Sequence, residues 1–397
     1  MIVVCEPVCW GWEHVAINAA LIEIVRLAFP SSRIAFYGEA SHIAHLQSEV
    51  GEAISSSIVW TPVRLAPRRA APSSRWAIDV ALALRLLNVL RSLPEGRLLL
   101  CGATPAMVLS IKLMLRLGAR RANGVQIICH GWLSRLRGWR SRNPFLRILD
   151  WRSALTIGND PRIQFVVLEE SIRNTLVAEF PRLARHLAVL QHPIPPSEPF
   201  AADFHVRAPF RFGFLGLASD AKGFPAFLEM ASALRERFGE RVEFHAVGTV
   251  PPGSAAPSME ALTVKAGLVK ASRADFSQAI RELHYVCLPY HGRHYELSPS
   301  GVLMDAIAFG KPILAAGIPL VKELFDRYGD IGFICTDTRD FCDTITEIVN
   351  HADEAHYHAQ VNALRAARDS RTPSALAGDY RRITNQRESI SGTGAGV

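Results

Sequence analysis

Between Tyr295 and Ala315 the chain reads YELSPSGVLMDAIAFGKPILA, residue types that suit a loop, a capped helix and a strand built to hold an anion. Ser298 is placed to cap the helix, and Pro299 fits its first turn. The N–H groups of Ser300, Gly301 and Val302 would then point out of a helix N-terminus. The dipole there favours negative charge, and Gly301 would let a phosphate approach closely. Asp305 follows about one turn later, within reach of a ribose. The helix is expected to end at Gly310, with Lys311-Pro312 leading into an apolar strand, Ile313 to Ala315. An ordinary Ser-Pro helix start fits the same residues, so local chemistry leaves both readings open.

A second anion candidate is FGFLGLASDAKGF, residues 212 to 224. A strand runs into Gly216, a loop follows, and Lys222-Gly223 opens the next helix, so that a cation stands beside a permissive backbone. A solvated surface lysine is the bland alternative. In the first half, EPVCWGWEHVAINAAL (residues 6 to 21) places a turn at Gly11 ahead of a helix that carries Glu13, His14 and Asn18. The segment VQIICHG puts His130 and Gly131 at the carboxyl end of another strand. Strand ends of doubly wound folds face the binding crevice, which makes Glu13, His14 and His130 candidates. Isolated polar residues of this kind are as often structural.

The two segments of the second half resemble the donor-site signature of family 4 glycosyltransferases. In that family an acidic residue, a glycine-rich turn and a second acidic residue precede a Gly-Lys-Pro-apolar strand. Asp305 falls at the second acidic position, and Gly310-Lys311-Pro312 matches. The first acidic position holds Leu297, with Glu296 one residue early. Gly216, Lys222 and Gly223 also match, but Leu217 stands where the family has an arginine. One phosphate-neutralising charge is therefore missing, and Lys311 or Arg293 are the cations considered as replacements.

This resemblance covers residues 210 to 350 closely and the rest by architecture. It implies an α/β chain of the GT-B fold, two Rossmann-like doubly wound domains facing across a cleft. It implies a nucleotide diphosphate sugar donor held by Gly216, Lys222, Ser298, Ser300, Gly301, Val302 and Asp305. Lys222 would steady the leaving diphosphate, His130 would touch the donor sugar, and Glu296 would take the first carboxylate's role. Gly11, Glu13, His14 and Trp132 are expected to border the acceptor, and Gly267 to Val269 to meet the nucleotide base. Retention of anomeric configuration is implied, and no metal or other cofactor is, because a helix dipole and a lysine can supply that electrostatic role.

Those sites need two sizeable cores, and 397 residues are enough for them. The 49% apolar and 20% charged composition is that of a globular protein. The N-terminus, MIVVCEPVCWGWEH, lacks a basic region before its apolar run and reads as a buried strand, not a signal peptide. No apolar stretch approaches the ~20 residues that span a bilayer. The seven cysteines form no CxxC pair and read as buried thiols in a reducing cytosol. Between Arg116 and Arg152 arginines dominate, Asp150 being the sole acid, and Trp132, Leu133, Leu136, Trp139, Phe145, Leu146 and Trp151 are interleaved. That pattern suits an anionic membrane surface at the inner face, or a merely solvated basic face. Nucleic acid is disfavoured because no helix-turn-helix, zinc-finger or RNA-binding signature accompanies it.

β-branched runs alternate with helical patterns, as parallel sheets covered by helices require. Strands are expected at residues 2–5, 33–37, 97–101, 125–130, 164–168 and 187–190, then at 210–215, 242–247, 285–289, 312–315 and 331–335. The proline-dense stretch after Leu190 marks a boundary. The division is 1–192 for an acceptor domain, 193–209 for a linker, 210–386 for a donor domain, and 387–397 for a disordered tail. All seven tryptophans lie in the first half, which fits a carbohydrate or lipid-linked acceptor, although Trp60 and Trp76 read as core. The expected activity is transfer of a sugar to a glycan or lipid-linked oligosaccharide in surface polysaccharide synthesis. A catalytically silent nucleotide- or sugar-binding module of the same fold is the alternative. A nicotinamide oxidoreductase is disfavoured because the first strand leads to EPVCWGWEH and not to GxGxxG.

Overall fold

The computed structural model describes the chain apart from residues 68, 94–95, 118–123, 139–146, 148, 196–199, 201–205, 252–257, 269–271, 291–294 and 393–397. Of residues 72 and 387–392 only the backbone is described. The chain divides into two compact units, one of Met1–Pro195, Leu297–Pro299 and Arg371–Val397, the other of Pro196–Glu296 and Ser300–Ser370.

The first unit is built on a seven-stranded sheet in the order β3-β2-β1-β4-β5-β6-β7. Its strands are β1 (Ile2–Cys5), β2 (Ile34–Gly38), β3 (Ile58–Pro62), β4 (Arg97–Leu100), β5 (Gly124–Ile128), β6 (Ile163–Val167) and β7 (Leu187–Val189). Every pairing is parallel, in registers such as Ile2↔Ile34 and Cys5↔Leu100. Because successive side chains alternate in direction, Val3 and Cys5 enter one core and Ile2 and Val4 the other. Helices therefore cover both faces, and β1 is apolar throughout. Strand order reverses at β1 and β4, so the loops after these strands border a topological switch point.

The second unit has a five-stranded parallel sheet, β12-β11-β10-β8-β9. Its strands are β8 (Phe210–Leu217), β9 (Val242–Thr249), β10 (Tyr285–Leu288), β11 (Ile313–Ala316) and β12 (Gly332–Cys335). The order reverses between β8 and β10, which brings the loops containing Lys222 and Ser300 to one switch point. Phe212, Phe214, Phe227 and Phe244 form an aromatic centre to this core. The cysteines carry no disulfide, and all but the half-buried Cys342 are buried.

Three expectations are corrected here. Strand β3 was absent from the expected set; it is an edge strand with a mostly exposed or half-buried pattern, so it lacks the continuous apolar signal of its neighbours. The donor domain does not run to 386, because residues from Arg371 onward pack with the first unit. The final helix, Pro373–Gly392, puts Leu376, Ala377, Tyr380 and Ile383 into the first unit's core, a helical stripe that needs covering. Tyr380 Oη donates to Gln126 Oε1 at 2.7 Å, and Arg381 Nε to the Ala28 carbonyl at 2.7 Å. The tail expected to be disordered from 387 instead continues this helix to Gly392, and 393–397 lie outside the described residues.

Candidate functional site

In the second unit the end of β8 and the loop after it are shaped by two glycines with positive φ, Gly216 at 84° within the strand and Gly223 at 75° beyond it. A Cβ at Gly223 would stand 1.6 Å from the Pro289 carbonyl oxygen, so only glycine lets this loop meet the one after β10. A Cβ at Gly216 would lie 2.9 Å from Lys222 Nζ and 3.2 Å from Val302 Cγ2. The bare backbone of Gly216 thus makes room for the Lys222 ammonium beside the first turn of a helix, Gly301–Ala308, here α10. Burial holds the Lys222 pKa below the usual lysine range, and Asp305 opposes that shift.

The N-cap of α10 is Ser300, whose Oγ accepts from Leu303 N at 3.1 Å and also hydrogen-bonds Tyr290 Oη. This corrects the expectation that Ser298 caps the helix. Ser298 is buried, its Oγ turned to the Pro299 carbonyl at 3.5 Å, and it packs with the first unit. Ser300 therefore contributes its backbone at the helix terminus, its hydroxyl being committed to capping. Gly301 is exposed with open space where a Cβ would be, so an anion can reach the helix N-terminus there. Val302 is buried and closes one side.

Asp305 is half-buried and ion-paired, with Arg273 Nη1 and Nη2 at 3.3 and 3.4 Å from its Oδ1. Arg273 is the first residue of helix α9 (Arg273–Arg281), capped by Ser272. Sequence reasoning missed Arg273; only the fold brings α9 to α10. Lys311, one of the cations considered as a substitute for the missing arginine, is ruled out. It is fully buried and Nζ donates to the carbonyls of Arg281 and Leu283, both at 2.7 Å, tying down the end of α9. Burial pushes its pKa down to about 7. Arg293 lies outside the described residues. Leu297 is completely buried in the first unit's core, so the position carries no carboxylate function; Glu296 beside it is half-buried.

The backbone of Gly267, expected near a nucleotide base, is committed to β9: its N–H donates to Gly248 O and its carbonyl accepts from Val250 N, both at 2.9 Å. Leu268 is 84% exposed, and Val269 lies outside the described residues.

In the first unit, the loop between β1 and helix α1 (Val15–Ala28) is organised by a buried carboxylate that sequence reasoning passed over. Glu6 Oε1 accepts from Val8 N at 2.8 Å and Cys9 N at 3.1 Å, while Oε2 accepts from Asn18 Nδ2 at 3.1 Å. An acid placed directly after a buried strand was the available signal. Gly11, with φ 53°, directs its carbonyl to His42 Nδ1 at 2.8 Å. Glu13 Oε2 accepts from Trp10 N at 3.3 Å, so Glu13 steadies this turn. His14 begins α1 with φ 54°, a left-handed conformation that costs a non-glycine residue about 1–3 kcal/mol.

His130, just past β5, stacks edge-on with His14 at 4.3 Å between ring centroids and with His192 at 5.3 Å. Burial, with His14 and His192 adding to it, drives the His130 pKa well below its ordinary value, and burial takes His192 down to about 3. Both rings are neutral at physiological pH; His192 Nδ1 lies 3.0 Å from the Pro193 carbonyl oxygen, whereas His130 Nδ1 has no hydrogen-bond partner among the described residues.

Trp132 is not placed for an acceptor: it is buried and stacks on Trp151 at 3.5 Å within the core. Among the described residues of the basic and aromatic stretch, Leu133 is buried and Arg137 and Arg152 both bridge Glu179, while Arg116, Arg135 and Arg147 are exposed. Trp139, Phe145 and Leu146 lie outside the described residues. Trp76, expected in the core, is 48% exposed, and Trp12 is 54% exposed and stacked on His45 at 3.7 Å.

Residues 209–351 match the family described as Glycosyl transferases group 1. The sequence matches no curated protein. Among solved structures, HepE from Anabaena in complex with UDP superposes with a TM-score of 0.65 at 13% identity, covering 97% of this chain and 99% of that one. A glycosyltransferase from Rickettsia africae gives 0.64 at 11% identity, with 97% and 98% covered. WaaG, a glycosyltransferase involved in lipopolysaccharide biosynthesis, gives 0.61 at 13% identity, with 97% and 99% covered. At these identities the likeness shows the fold, two Rossmann-like domains of the GT-B kind.

Proposed function

We propose that this family 4 glycosyltransferase-like protein, a nucleotide-sugar glycosyltransferase, binds the diphosphate of its donor at the N-terminus of α10 beside Lys222. The observation that carries the reading is that a Cβ at Gly216 would meet both Lys222 Nζ and Val302 Cγ2, so this glycine leaves the space beside the helix to the ammonium at the second unit's switch point. Gly301 has open space where a Cβ would stand, room in which the helix N–H groups and that cation would meet a diphosphate. Lys222 and the helix terminus stabilise the charge that develops on the leaving diphosphate, and this step uses no metal. Arg273, held by Asp305, supplies the second cation in place of the arginine absent at Leu217. Asp305 also reaches the ribose, and Glu296 stands in for the carboxylate absent at Leu297.

The first unit supplies His130 for the donor sugar and Gly11, Glu13 and His14 for the acceptor. A neutral His130 suits a sugar hydroxyl, since it accepts or donates a hydrogen bond without adding charge. The exposed Trp12 gives the same loop an aromatic face for a sugar ring, a role Trp132 does not fill. The reaction is transfer with retention to a hydroxyl of a glycan or lipid-linked oligosaccharide, in surface polysaccharide synthesis. The protein works in the cytoplasm, at the inner face of the membrane. No helix among the described residues is long and apolar enough to cross a membrane. The exposed Trp76, Leu84, Leu113 and Leu117 support surface attachment through the first unit's helices.

UDP and UDP-glucose are bound in the HepE structures, which makes UDP-glucose the first donor to try. Incubation with a panel of nucleotide sugars and lipid-linked glycan acceptors should release nucleoside diphosphate and yield a product with the donor's anomeric configuration. Binding without turnover across the panel would favour the silent module, a reading to which the buried Leu297 lends support.

A further inference from the structure

The loop between β1 and α1 gathers three metal-ligand side chains that the glycosyltransfer reading leaves unexplained as a set. A carboxylate oxygen of Glu6, Cys9 Sγ and an imidazole nitrogen of His14 all lie within 4.8 Å of one another. Cys9 Sγ is 3.3 Å from His14 Nδ1. Glu6 and Cys9 are buried while His14 is exposed, so the cluster opens to solvent on one side. Beside it stands His130, whose ring centroid is 4.3 Å from that of His14. His130 Nδ1 is buried with no hydrogen-bond partner among the described residues. A buried nitrogen without a partner is costly unless something else engages it.

We propose that Glu6, Cys9 and His14 form a zinc site, with His130 as its fourth wall. The donor set decides the ion. Thiolate, imidazole and carboxylate together suit Zn²⁺, a borderline-soft cation of tetrahedral preference, whereas Mg²⁺ and Ca²⁺ select oxygen. The surroundings resemble an outer shell already in place. Val8 N and Cys9 N hold Glu6 Oε1, and Asn18 Nδ2 holds Oε2. Asn18 Nδ2 is in turn 3.0 Å from His42 Nε2. Such partners fix a ligating carboxylate's direction. Binding replaces the Cys9 thiol proton by a sulfur–zinc bond and releases the proton to solvent, with no redox change. The ion would fasten the segment from Glu6 to His14, which includes Gly11 and Glu13. The site belongs wholly to the first unit and is independent of the diphosphate reading.

The test uses the untagged full chain, stripped with a chelator and titrated with zinc chloride against a chromophoric chelator. One equivalent should bind tightly, and both Cys9→Ala and His14→Ala should lose it. Cobalt(II) added to the stripped protein should give a thiolate-to-cobalt charge-transfer band that vanishes in Cys9→Ala and survives in Cys342→Ala. Because His14 is exposed, His14→Ala keeps the test decisive if Cys9→Ala fails to fold. No stoichiometric zinc on the folded wild type, or a cobalt band that persists in Cys9→Ala, overturns the proposal.

Discussion

Replacing Arg273 by alanine should weaken nucleotide binding far more than it weakens the fold. The guanidinium lies 3.3 and 3.4 Å from Asp305 Oδ1, and the two side chains are 40% and 23% exposed. Pairs this open to water contribute only ~0.2–1 kcal/mol to stability, so urea unfolding of Arg273→Ala should differ from wild type by no more than that. If the same guanidinium meets the donor's diphosphate, its loss removes charge-assisted hydrogen bonding worth ~1.5–3 kcal/mol. At ~1.4 kcal/mol per tenfold, the dissociation constant for a nucleoside diphosphate should rise roughly 10- to 150-fold. Titration calorimetry on both proteins at two salt concentrations measures this, and the gap should narrow at high salt. Arg273→Lys keeps the charge without the planar fork and should fall between the two. A dissociation constant for Arg273→Ala within about twofold of wild type would refute the assignment and leave Arg273–Asp305 a surface ion pair.

Arg371 and Glu169 form an ion pair with both side chains fully buried in the first unit, so Arg371→Met should cost about 3–5 kcal/mol by stranding the carboxylate. The double variant Glu169→Met/Arg371→Met should recover much of that in urea unfolding; a double variant no more stable than the single would contradict it. Lys311 has a pKa of about 7 in the folded protein against 10.5 for an ordinary lysine. Between those values the unfolded chain holds the extra proton, so stability rises with pH. Wild type should therefore gain about 2 kcal/mol over Lys311→Met between pH 7 and 9. Equal pH slopes for the two proteins would mean that Lys311 stays charged against the Arg281 and Leu283 carbonyls.

The sheets were legible because parallel strands buried on both faces read as short apolar runs, as β1 and β5 do. Edge strand β3 was not, since Ile58 is the sole buried residue of its five. The helix at 301–308 was foreseen, but its cap was not. Ser298 and Ser300 flank the same proline, and only the turn's geometry chooses Ser300. Lys222 carried a readable signal in its neighbouring glycines. Lys311 carried none, because a lysine in Gly-Lys-Pro looks like a surface residue until the strand it starts is seen to be central and its ammonium to cap α9 from within. Trp132 and Trp151 misled for a similar reason: interleaved arginines suggest a surface, while the rings stack on each other inside. Arg273 and Glu6 act through partners distant in sequence or through backbone that folds around them, which no local pattern encodes.

A diphosphate held at α10 by Lys222 is the feature on which donor binding turns. Thermal stabilisation of wild type and Lys222→Ala by UDP, GDP and ADP tests it directly. A nucleotide at ~100 times its dissociation constant should add about 2.7 kcal/mol of stability to the wild type. One nucleotide should do so selectively, and the effect should largely disappear in Lys222→Ala. No stabilisation by any of the three, or equal stabilisation of both proteins, would contradict the donor site.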